Sequence, residues 1–179
     1  MDQPLDALGK KRHSLAHLLA AAVLELYPDA KITIGPAIDN GFYYDIDFGE
    51  TKIGDKELPK IEKRMRKIMP HWDGFEGKEV SADEAREFFA GNDYKLELIN
   101  EIADKGEAIT FYTSGKFTDL CRGDHVDSMK DIDKKSFKLD RVAGAYWRGD
   151  EEKPMLTRIY GLAFDTAEEL DQYVDMRDQ

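Results

Sequence analysis

The sequence predicts an α+β domain: a largely antiparallel sheet flanked by helices, with a His-x-x-x-His helix lining a cleft. Three observations lead there. Residues 8–27 carry apolar side chains at helical period. An Asn-Gly step at Asn40-Gly41 joins two strand-like runs. Further strand-like runs, around 108–113 and 137–147, are interleaved with helical ones.

The first helix is expected over residues 8–27. Leu15, Leu18, Leu19, Ala22, Val23 and Leu26 recur at three- and four-residue steps as one apolar stripe, and Pro28 stops the run. Beyond it, Phe42, Tyr44, Ile46 and Phe48 alternate with Tyr43, Asp45 and Asp47, the period of a half-buried strand. Asn-Gly before this run favours a hairpin because both residues tolerate positive φ. A second helix, over 57–69, turns Leu58, Ile61, Met65 and Ile68 inward. Its other face carries Lys60, Lys63, Arg64, Arg66 and Lys67, which reads as a solvated face rather than a nucleic-acid contact. Ser81-Ala-Asp-Glu84 is a capping box opening a short helix that Gly91-Asn92 closes. A last helix is expected over 166–176. No repeat interrupts the chain, so residues 1–179 read as one domain, with a small satellite at about 50–105 as the alternative organisation.

Composition narrows the class. With 41% apolar and 35% charged residues the chain is globular rather than disordered or fibrous. No apolar run is long enough to span a bilayer, and the N-terminus lacks a secretory signal pattern. One cysteine excludes an internal disulfide and points to a reducing, cytoplasmic setting. A net charge of −11 opposes broad, independent binding to nucleic acid, whose affinity rests on neutralised phosphates.

The chemistry-bearing residues come in pairs. His13 and His17 lie four apart on the first helix, one turn above the other and nearly opposite the leucine stripe. Cys121 and His125 are also four apart, in a Gly-containing turn. Three histidines and a cysteine make a nitrogen–sulfur set suited to tetrahedral zinc. The same groups equally suit a metal-free hydrolytic pocket, as general base, substrate donors and packing groups. His71 has no partner by spacing and reads as structural or exposed. A zincin protease is unsupported, because its motif needs a glutamate where this chain has Ser14.

His13-Ser-Leu-Ala-His17, Cys121-Arg-Gly-Asp-His125, the run from Phe137 to Gly149 and Arg158-Ile-Tyr-Gly-Leu-Ala-Phe164 together resemble the editing domain of bacterial-type threonyl-tRNA synthetases. That domain is shared more distantly with alanyl-tRNA synthetases, and the likeness covers nearly the whole chain. It implies hydrolysis of serine mischarged onto tRNA(Thr). It also implies roles for His13, His17, Cys121, His125, Asp119 and Lys95, and places Gly35 and Tyr44 in the pocket wall. The family usually has proline where this chain has Asp124, which adds a charge beside His125 and frees a backbone N–H. The partners implied are the acceptor end of tRNA(Thr) carrying serine and the catalytic and anticodon-binding domains of a parent synthetase, with no membrane.

Serine lacks one methyl of threonine, worth only about 1–3 kcal/mol of discrimination, so a second, tighter sieve is needed to remove it. In this reading His13 or His17 orients or deprotonates water, and Lys95 offers charge to the oxyanion or the tRNA terminus. Asp119 binds the substrate ammonium, and Cys121 and His125 complete the wall. No metal is required for editing, although zinc fits the donor set. No ubiquitin-like domain precedes residue 1 and no aminoacylation core follows Gln179, so an excised piece is favoured over a free-standing trans-editor. The alternatives are a zinc-stabilised acceptor-end binding module without turnover and a domain that positions the acceptor arm through the helix around Arg64.

Overall fold

The computed structural model describes residues 5–178. Helix α1 (Ala7–Leu26) starts at Asp6, whose carboxylate accepts from the Gly9 N–H at 2.7 Å. It is followed by three strands, β1 (Lys31–Ile32), β2 (Ala37–Ile38) and β3 (Gly41–Asp47), and by helix α2 (Leu58–Ile68). Strand β4 (Glu76–Val80), helices α3 (Ala82–Phe88) and α4 (Asp93–Asp104), and strands β5 (Ile109–Ser114) and β6 (Phe117–Leu120) come next. Strands β7 (Phe137–Tyr146) and β8 (Met155–Ala163) and helix α5 (Ala167–Arg177) complete the order. Both sheets are antiparallel throughout, giving the α+β class.

The larger sheet runs β1-β3-β8-β7, with β2 also paired to β3. α1 and α2 cover it and bury Leu15, Leu18, Leu19, Phe42, Ile46, Ile61 and Met65 in the main core. The alternation read in β3 holds, since Phe42, Tyr44, Ile46 and Phe48 are all buried. The hairpin sits one residue earlier than Asn-Gly suggests. Asn40 takes the left-handed conformation (φ 67°), while Gly41 already pairs within β3. Gly41 is needed there for another reason: a Cβ would lie 1.8 Å from the Gly161 carbonyl oxygen of β8.

The smaller sheet, β4-β5-β6, packs α3 and α4 around Val80, Ala85, Phe89, Ile99, Ile109 and Phe111. The Ser81 cap forms, its hydroxyl accepting from the Glu84 N–H at 3.1 Å. Polar contacts seat α4 against the larger layer. Tyr94 donates to Asp47 at 2.7 Å, Asn92 to the Ile32 carbonyl at 2.9 Å and the Trp147 indole to Glu97 at 2.8 Å. No helix among the described residues is long and apolar enough to cross a membrane.

Candidate functional site

The seam between the layers opens as a cleft of about 790 Å³, whose lining includes His13, His17, Gly35, Tyr44, Lys95, Asp119 and Cys121. Four elements supply these side chains. α1 brings the histidines, β3 brings Tyr44, α4 brings Lys95, and β6 with the turn after it brings Asp119 and Cys121. His125 sits behind Cys121 and lines a neighbouring cleft of about 690 Å³. His71 is exposed and lies outside the set.

Asp119 is the hub. Its Oδ1 accepts from Lys95 Nζ at 2.6 Å and from the Leu120 N–H at 2.8 Å. Its Oδ2 accepts from Tyr44 OH at 2.7 Å and from His17 Nδ1 at 3.1 Å. Lys95 also donates to Tyr44 OH at 3.2 Å. All four side chains are buried, Lys95 to 2% exposure and Asp119 to 1%. The ammonium-binding role expected for Asp119 meets a physical obstacle, because an ionised carboxylate offers about four acceptor sites and all are taken.

The imidazoles gather around Cys121. His13 Nδ1 faces the Asp124 carbonyl at 3.2 Å, so it is the donor there and its Nε2 is left as an acceptor. His13 Nε2 lies 3.2 Å from His17 Nε2 and 3.4 Å from Cys121 Sγ, and His125 Nε2 lies 3.4 Å from the same sulfur. His125 is stacked on Phe75 at 4.1 Å between ring centroids. Ser14, in the second turn of α1, pins this arrangement: its hydroxyl donates to the Lys10 carbonyl and accepts from the Val126 N–H at 3.1 Å. The helix thereby holds the Cys-His turn in register.

Burial opposes the His17 imidazolium, but Asp119 and Cys121 outweigh it and raise the ring to about 9. Burial also opposes the Asp119 carboxylate, yet Lys95 and His17 hold it well below the ordinary carboxylate range. For Cys121 burial favours the thiol, but bonds from His125, His13 and His17 bring it down to about 3. Burial lowers His125, only partly offset by Cys121, and pushes the Tyr44 phenol well up. Three ring nitrogens and a sulfur thus converge, and all four ligand atoms lie within 4.8 Å of one another. The set fits a zinc-like cation by donor chemistry, and Asp119 behind His17 is the carboxylate partner that fixes a metal-binding tautomer.

These shifts give a pH signature in the metal-free protein. The ordinary values are 6.5 for His17 and 9.0 for Cys121, against about 9 and about 3 in the fold. Between 6.5 and 9 the folded pair holds one proton, on His17, and the unfolded pair holds one, on Cys121. The pair therefore adds no slope to stability across that window. In Cys121→Ala only His17 remains, raised in the fold by Asp119. Its contribution is complete below pH 6.5 and is lost as pH rises towards its folded value. Relative to the parent, the variant's urea midpoint is expected to fall as pH rises above 6.5, and parallel pH profiles would contradict the assignment.

The spacing had already paired His13 with His17 and Cys121 with His125. Lys95 and Asp119 rested on the resemblance alone. Phe75 and the pinning role of Ser14 were not read from the sequence. Asp124, in place of the usual proline, has φ 68°, which proline's ring cannot adopt.

Residues 109–160 match the family described as the threonyl and alanyl tRNA synthetase second additional domain. Over 174 residues the chain is 48% identical to a threonine–tRNA ligase of Borreliella burgdorferi, covering 97% of this chain and 30% of that protein. It is 49% identical over 177 residues to one from Dehalococcoides mccartyi (99% and 30%) and 53% identical over 171 residues to one from Francisella philomiragia (94% and 26%). The chain thus spans about 30% of the length of these curated relatives. It belongs to the family of the threonyl and alanyl tRNA synthetase second additional domain, on the threonyl-tRNA synthetase side.

Proposed function

We propose that this chain is an editing module that hydrolyses the ester of serine mischarged onto tRNA(Thr). The observation that carries the reading is the cleft itself. A buried Lys95–Asp119 pair and the imidazoles of His13 and His17 converge there. Tyr44 and Gly35 form its wall, so close that a Cβ on Gly35 would stand 2.2 Å from the Tyr44 ring. Such a wall suits a sieve that admits serine and excludes the extra methyl of threonine.

In the proposed reaction His13 Nε2 takes a proton from water as the water oxygen bonds to the ester carbonyl carbon. The remaining N–H of Lys95, not engaged by Asp119 or Tyr44, meets the developing oxyanion. Collapse breaks the bond to the ribose oxygen, which recovers the proton from His13, releasing serine and a free tRNA end. His17 keeps its proton for the Cys121 sulfur, which leaves the His13 Nε2 lone pair to the water, while Asp119 holds His17, Lys95 and Tyr44 in place. Cys121 and His125 form the back wall.

His13, His17, Cys121 and His125 would be the ligands of a bound zinc ion, which would supply structural or Lewis-acid chemistry at that point. A closed four-ligand set leaves no open position for water, and the reaction above needs none. The acidic chain is expected to touch mainly the acceptor end. The rest of the tRNA grip would come from the catalytic and anticodon-binding domains of a parent synthetase, in the cytoplasm. The convergent ligands also favour a second reading, a zinc-stabilised acceptor-end module without turnover.

One assay separates them. Purified chain is given seryl-tRNA(Thr) and threonyl-tRNA(Thr), before and after chelation, with metal content measured. The serine ester is expected to be cleaved preferentially, at a rate that chelation does not reduce. Background rates on both esters, with stoichiometric metal and loss of fold on chelation, would favour the binding module.

A further inference from the structure

The substrate proposed above carries an amino group beside the scissile ester, and that group needs an acceptor. Two carboxylates line the cleft, Asp119 and Asp124. Asp119 is spent on four protein donors and is 1% exposed. Asp124 is its opposite: exposed, with a single side-chain hydrogen bond among the described residues, a long 3.4 Å contact from the Leu5 N–H. Its backbone is nonetheless anchored, because its carbonyl accepts from His13 Nδ1 at 3.2 Å. The φ of 68° is a left-handed conformation that aspartate and asparagine tolerate better than most residues. A free carboxylate is thereby fixed one bond network away from the imidazole proposed as the base.

Resting on the ester-hydrolase reading, we propose that Asp124 is a substrate-binding residue that receives the α-amino group of the aminoacyl ester. A carboxylate in the cleft mouth accepts hydrogen bonds from that nitrogen, and its charge favours the ammonium form. The ester carbonyl is then turned towards Lys95 and His13. Asp73, Glu76 and Asp127 do not compete for this role, because they line only the neighbouring cleft behind His125, whereas Asp124 borders both clefts.

The test is a binding measurement that does not depend on turnover. Seryl-3′-amino-3′-deoxyadenosine, an amide in place of the ester, and its N-acetyl derivative are titrated by calorimetry into the parent chain and Asp124→Asn. Asparagine keeps the shape and the left-handed preference, so the melting temperature should not move. The variant is expected to bind the free amine about tenfold more weakly, close to the cost of one charge-assisted bond, and the N-acetyl ligand unchanged. With seryl-tRNA(Thr), KM should rise by a similar factor at nearly constant kcat. Equal losses for both ligands, no loss for either, or failure of the parent to bind the amine would overturn the assignment. An Asp124-dependent amine contact without any turnover would retain the contact and remove the hydrolase reading. Turnover with no discrimination at Asp124 would do the reverse.

Discussion

Asp119→Ala is expected to destabilise the chain by about 3–5 kcal/mol and to bring ester hydrolysis to background. The size follows from what the side chain holds. Removing it leaves the Lys95 ammonium, 2% exposed, with only the Tyr44 hydroxyl as a hydrogen-bond partner among the described residues, and strips the raised His17 of one of its two counter-charges. Taking one member from a buried ion pair costs far more than taking both, because the survivor stays desolvated. The double variant Asp119→Leu/Lys95→Met should therefore regain much of the lost stability while remaining inactive. Urea midpoints of the parent, the single variant and the double variant check this. A single variant as stable as its parent would mean that the buried pair is not the keystone described above.

Gly35→Ala is expected to cut seryl-ester cleavage about a hundredfold, the order of loss that a misplacement of about 1 Å near the chemistry produces. The added methyl would meet three atoms of the Tyr44 ring at 2.2–2.8 Å. Tyr44 is 1% exposed and its hydroxyl is bonded to Asp119, so the ring cannot yield without disturbing the hub. Overpacking of this kind costs about 1–3 kcal/mol, which a domain of this size survives. Initial rates on seryl-tRNA(Thr), taken alongside a melting curve, separate a displaced site from a lost fold. A folded variant with the parental rate would remove Gly35 and Tyr44 from the pocket wall.

The most legible parts of this molecule are those where period and chemistry coincide. α1 announces itself through its leucines, and its histidines through their spacing. β3 follows from strict alternation. Other elements hide for physical reasons. β4 (Glu76–Val80) is a sheet edge with only Val80 buried, so it carries no apolar alternation. β8 holds Gly161 mid-strand because the Phe42 ring lies over it, where a Cβ would come within 2.2 Å, and such a glycine weakens the strand signal. α4 hides Lys95 best of all. A lysine flanked by Tyr94 and Leu96 looks like any helix-surface residue, and only the fold shows it buried against Asp119 and Tyr44. Asp45 misleads in the same way: on the polar side of β3 by alternation, it is buried and accepts from Arg158 Nε and Nη2 at 2.8 and 2.9 Å.

The seam that hosts the cleft also governs how the molecule can be inherited. Residues 76–120 look separable, with their own sheet, helices and core, yet they donate Lys95 to Tyr44 and Asp119 to Tyr44 and His17 of the other layer. A chimera that exchanged this segment for a foreign one would have to restore a lysine and an aspartate in register. It would also need the Asn92, Tyr94 and Glu97 contacts that seat α4 against the larger sheet. Recombination within the segment's borders is therefore penalised even where both parental halves fold, and the two layers are expected to descend together as one unit.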